Sequence, residues 1–105
     1  MKILFDQCMP QPLRAYLKGH TIFTAKELGW GRLKNGELLS RAEQNSFDCL
    51  LTADQNLKYQ QNLSARRLAI FVVKDTDWKK VKVRASDIAA AVSSVQPGSF
   101  TEFDL

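Results

Sequence analysis

A chain of 105 residues, 45% hydrophobic and 25% charged, has the composition of a soluble globule and room for one modest core, read as a single domain over residues 1–105. No stretch approaches the ~20 apolar residues of a membrane helix, so no membrane partner is expected; MKILFDQCMP lacks the apolar run and cleavage site of a secretory signal. The net charge of +4 is uneven: residues 58–84 carry eight Lys/Arg against Asp75 and Asp77, the pattern of a polyanion-binding segment or of a solvated lysine-rich turn.

Lys2–Phe5 is a short apolar run of strand type that ends at Asp6. Pro10 and Pro12 suit the first turn of a helix, Leu13 and Leu17 share its face, and Gly19 stops it. Thr21–Thr24 is β-branched and aromatic, hence a second strand. Gly29–Gly36 carries three glycines and an Asn-Gly and reads as a loop; from Glu37 a helix is predicted with Leu38 and Ala42 inward and Glu37 set to pair with Arg41. Asp48–Thr52 forms a third strand closing toward Asp54, followed by a short helix or turn around Gln55–Asn62. Leu68–Val73 is continuously apolar, as in a strand buried on both faces. Ser86 is the expected N-cap of a helix with Ile88, Ala91, Val92 and Val95 at helical spacing, ended by Pro97-Gly98; Ser99–Phe103 adds an edge strand.

Strands alternating with helices predict an α/β fold with a parallel sheet covered on both faces. Ligands of such sheets gather outside the carboxyl ends of the strands. Asp6, Asp54 and Asp75 all fall at such ends, and Glu37, opening the helix after the glycine loop, is a candidate for the same rim. Carboxylates without cationic partners repel one another, and a hard divalent cation such as Mg²⁺ relieves the repulsion. Such a cation can also polarise a phosphodiester for attack by water. Each Asp could equally serve as a turn or cap residue. Gln60-Gln61-Asn62 is open to two roles, binding RNA or closing a helix. His20 reads as structural. Cys8 and Cys49, far apart and not paired as CxxC, read as reduced thiols of a cytoplasmic protein. The glycines of GWGRLKNG match neither of the phosphate-cradling loop patterns.

Two longer motifs resemble a known family. Gly29-Trp30, with Leu33-Lys34-Asn35-Gly36-Glu37-Leu38-Leu39, and the segment Thr52-Ala53-Asp54-Gln55-Asn56-Leu57 running on through Tyr59-Gln60-Gln61-Asn62-Leu63, resemble a subgroup of small bacterial PIN-like proteins, as does Asp6 followed by Pro10. The resemblance implies a three-layer sandwich with a central, mainly parallel sheet of four to five strands and helices on both faces. It implies a ribonuclease acting on single-stranded RNA with Mg²⁺ or Mn²⁺, often the toxin of a toxin–antitoxin pair, with an antitoxin protein and a homodimer as partners. Carried over, Asp6, Glu37 and Asp54 would be the catalytic, metal-binding acids, and Lys34, Asn35, Asn56 and Gln61 would line the substrate pocket. Where the subgroup has a second acid after the first, this chain has Gln7, and only Asp75 offers a fourth acid, by position. The alternatives are therefore an inactive PIN-like domain that binds RNA or a protein, and a DNA-directed nuclease.

Overall fold

Every strand expected from the sequence forms, and each pairs parallel to its neighbour. A computed structural model describes residues 1–57 and 66–105. In chain order it contains β1 (Lys2–Phe5), a 3-10 segment (Gln11–Tyr16), β2 (Thr21–Thr24), α1 (Asn35–Gln44) and β3 (Cys49–Thr52). After these come β4 (Ala69–Val73), α2 (Trp78–Val83), α3 (Ala85–Ser93) and β5 (Phe100–Phe103). The sheet order is β2-β1-β3-β4-β5. No helix among the described residues is long and apolar enough to cross a membrane.

The register explains the three layers. Ile3, Cys49 and Ala69 stand side by side across β1, β3 and β4, as do Phe5, Leu51 and Phe71, and successive strand residues face opposite sides. One face therefore collects Ile3, Phe5, Leu51, Phe71 and Val73, packed against Leu13 and Leu17 of the 3-10 region, Val81 of α2, and Ile88 and Val92 of α3. The other collects Leu4, Leu50, Ile70 and Val72 against Leu38, Leu39 and Ala42 of α1. All residues of β3 and β4 are buried, as the unbroken apolar runs require.

Four local expectations need correction. The segment after Pro10 is a 3-10 helix, not an α-helix: Pro12 has no N–H to give, and the bonds that form are of the tighter kind, Leu13 N to Pro10 O and Leu17 N to Arg14 O. Residues 78–83, for which a lysine-rich turn is one of two readings, are the helix α2, started by Asp77, whose carboxylate accepts from Lys79 N at 3.1 Å. Ser86 does not cap α3, because Arg84 ends α2 and begins α3 in one residue. Glu37 makes no ion pair with Arg41 among the described residues; the Arg41 guanidinium lies 5.9 Å from the Trp30 ring instead.

The connections have an unusual combination of hands. From β1 to β2 the chain moves one way across the sheet, and from β4 to β5 it moves the other way. Both connections nevertheless lay their helical segments on the Phe5–Phe71 face. The two crossovers thus have opposite hands, although right-handed ones are strongly favoured.

Candidate functional site

The chain leaves β1 toward β2 on one side and β3 toward β4 on the other, so the direction of winding reverses between the carboxyl ends of β1 and β3. Open parallel sheets bind ligands at such a switch point. Asp6 is the first residue past β1 and is fixed there by its own N–H, which donates to Leu51 O at 2.9 Å. Asp54 stands two residues past β3.

Thr52, fully buried, joins them. Its hydroxyl donates to Asp6 Oδ2 at 2.7 Å and accepts from Asp54 N at 3.2 Å. Asp6 Oδ1 accepts from Gln7 N at 2.8 Å. On Asp54, Oδ1 accepts from Asn56 N at 3.0 Å and Oδ2 from the Asn35 side-chain amide at 2.7 Å. Asn35 is the first residue of α1, so the bond ties the start of that helix to the end of β3. Neutral donors thus hold both carboxylates, and neither has a cationic partner among the described residues. The glycine loop closes over the same place: a Cβ on Gly31 would stand 3.1 Å from Gln7 Oε1.

The remaining candidates distribute as follows. Lys34 is exposed at the start of α1. Glu37 lies in the first turn of α1 and is exposed; two residues beyond Asn35 is about 200° around the helix, and no described hydrogen bond or ion pair joins it to Asp6 or Asp54. Asp75 is engaged elsewhere: its carboxylate accepts from Asp77 N at 2.9 Å and pairs with Lys80 at 3.3 Å. The Asp77 N–H first, and Lys80 next, hold it below the usual carboxylate range. Gln61, Gln60 and Asn62 lie outside the described residues. Among the described residues no three His, Cys, Asp or Glu side chains come together in one metal-binding group.

Both cysteines are free thiols. Burial, and secondarily Asp48, push Cys49 up to about 12; Cys8 is exposed, and partial desolvation foremost, with Asp6 adding to it, raises its thiol. Neither is a ready thiolate at neutral pH. His20 is a clamp: the amino terminus donates to its Nδ1 at 3.0 Å, and its Nε2 lies 3.1 Å from Ser93 Oγ. Since the Ser93 hydrogen already goes to Ala89 O, Nε2 is the donor to Ser93 and the ring is neutral. Burial, then the terminal charge, lower its pKa accordingly.

A cleft of about 440 Å³ opens at the other end of the sheet, where Asp48, Arg67 and Ala69 mark the amino ends of β3 and β4. Its acids are committed, Glu43 to Arg66 and Asp48 to Lys2 N.

Asp6 and Asp54 are the residues that could hold a hard cation. Mg²⁺ needs only one or two carboxylates if water and substrate phosphate complete its shell. Each carboxylate oxygen here accepts one hydrogen bond from the chain, and a carboxylate has about four lone-pair sites. Sequence reasoning missed Thr52 as the connection, although a hydroxyl closing a buried apolar strand two residues before an Asp was a usable signal. Thr52→Val should cost about 1–3 kcal/mol, because one oxygen of Asp6 loses its donor and Asp54 N its acceptor. A lower urea midpoint at unchanged slope would show it. No family model, no curated protein and no solved structure matches this chain.

Proposed function

We propose that this chain is a PIN-like ribonuclease that cleaves single-stranded RNA with Mg²⁺ or Mn²⁺, and that it acts as the toxin half of a toxin–antitoxin pair. The observation that carries the reading is the Thr52 hydroxyl, which ties Asp6 and Asp54 together where the parallel strands β1 and β3 end. In this reading Asp6 and Asp54 hold the cation. The cation, when bound, supplies Lewis-acid polarisation of the phosphodiester. The chain's own residues do the rest. Thr52 sets the orientation of the Asp6 carboxylate, Asn35 and the Asn56 N–H set that of Asp54, and Lys34 offers a cation to a flanking phosphate. Glu37 enters as a third ligand only if α1 brings it to the rim; two carboxylates meet the need without it. An antitoxin protein that covers the rim, and pairing of two copies, belong to the same proposal.

A second reading is favoured by one observation: no third acid converges on the pair among the described residues, and Gln7 stands beside Asp6. In that reading the domain binds RNA or a protein without cleaving. Incubation of a mixed single-stranded RNA pool with Mn²⁺ or Mg²⁺, beside the same reaction in EDTA, separates the two. Cleavage confined to the metal-containing reaction supports the nuclease. Intact RNA under saturating metal, with cleavage appearing in Gln7→Glu, would instead identify a silenced site.

A further inference from the structure

The basic segment 58–84 is not one patch. β4 runs through it and sends its charges to opposite ends of the sheet: Arg66 and Arg67 precede the strand, whereas Lys79, Lys80 and Lys82 follow it on α2. Of the seven described cations of the segment, four are already engaged. Arg66 pairs with Glu43, Lys74 with Glu102 and Asp104, Lys80 with Asp75, and Arg84 with Asp87. Lys79 and Lys82 are exposed and have no acidic partner among the described residues. At 100° per residue Lys82, Lys79 and Val83 stand about 100°, 160° and 200° around α2 from the buried Val81, so all three lie on its outer arc, and Val83 is 80% exposed.

That surface flanks the carboxylates. α2 starts five residues past β4, and Val72 of β4 pairs directly with Thr52 of β3. Trp78, its first residue, meets Tyr16 with ring centroids 6.1 Å apart, and Tyr16 is 38% exposed. α2 packs on the Phe5–Phe71 face, whereas Lys34 opens α1 on the opposite face. Unpaired cations therefore stand at both sides of a rim whose centre holds Asp6 and Asp54.

We infer that a single strand of RNA crosses this rim from face to face, with phosphates held by Lys34 on one side and by Lys79 and Lys82 on the other, and a base against the Tyr16–Trp78 edge. Flanking cations offset the repulsion between a polyanion and the central acids, and an exposed aromatic edge favours unstacked bases over a duplex. The inference rests on the ribonuclease reading for the class of substrate, but not for cleavage.

The test is fluorescence anisotropy of a labelled oligouridylate about twelve nucleotides long, in EDTA, with the whole chain, over a range of salt. Lys79→Ala with Lys82→Ala should weaken binding about tenfold and flatten the log–log salt dependence by about 1.4; Lys34→Ala should flatten it by about 0.7. Arg67→Ala, at the far end of the sheet, should change neither quantity. Wild-type binding unaffected by the two lysines, or weakened chiefly by Arg67→Ala, overturns the inference. Absence of any RNA binding at low salt overturns it too and points to a protein partner for α2. Wild-type protein that binds the oligonucleotide in this test yet leaves it intact when Mg²⁺ or Mn²⁺ is supplied would refute the nuclease while leaving the surface standing.

Discussion

Asp6→Asn and Asp54→Asn should each lower metal-dependent RNA cleavage by about 10³-fold while the protein stays folded. A cation at a phosphodiester supplies several kcal/mol of transition-state stabilisation, and each 1.36 kcal/mol is a factor of ten. Losing one of two anionic ligands removes most of that. The structural cost is smaller and unequal. In Asp6 the two oxygens accept from Thr52 Oγ1 and Gln7 N, and in Asp54 from the Asn35 amide and Asn56 N. At Asp54 an Asn turns one acceptor into a donor facing a donor, at a cost of about 1–3 kcal/mol; at Asp6 the cost is less, because the Thr52 hydroxyl can turn to accept from the new NH₂. Far-UV circular dichroism together with urea midpoints separates that loss from the loss of rate. Cleavage within threefold of wild type in both variants would remove the carboxylates from the chemistry.

Phe71→Ala should destabilise the fold by about 3–5 kcal/mol. Phe71 is fully buried in the middle of β4, faces the 3-10, α2 and α3 layer, and its ring lies 5.9 Å from that of Phe103 on β5. Truncation removes its apolar contacts and leaves a cavity between two strands and a helix layer that cannot all collapse inward. Against a total of about 5–15 kcal/mol for a domain of ordinary stability, the variant should populate unfolded chains at modest urea. Val83→Ala is the matched control. At 80% exposure that side chain should contribute within about 0.5 kcal/mol. Equal urea midpoints for the two variants would refute the assignment of Phe71 to the core.

The sheet was legible because its strands are dense apolar runs. KILF, TIFT and LAIFVV have lengths and β-branching that no surface helix of this size would carry. α2 was not legible. WKKVKV alternates Lys and Val as an exposed strand would, and only the Asp77 cap and the single buried contact of Val81 make it helical. Asp6 and Asp54 could be marked because strand ends are visible in sequence. The bonds that organise them were not visible: Thr52 reaches Asp6 across 46 residues and Asn35 reaches Asp54 across 19, and no local spacing encodes either. Charge was read correctly in amount and incorrectly in place, because a strand through a basic segment divides it in space without changing its composition.

The opposite hands of the two crossovers bear on how the domain comes apart. A right-handed connection is favoured by the twist of the strand that feeds it. Of the β1–β2 and β4–β5 connections, one forms without that help. The β4–β5 path is the longer-range of the two and returns through two short helices to a strand that is only half-buried and lies at the sheet's edge. Residues 74–105 are therefore the part expected to detach first under native conditions, as a cooperative unit whose amides exchange with solvent before those of β1 and β3. The free lysines of α2 travel with that unit, whereas Asp6, Thr52 and Asp54 stay with the central strands. If RNA binds as proposed, such a partition makes the lysines that would hold it separable from the carboxylate centre, because one half of the rim can loosen while the other keeps its geometry.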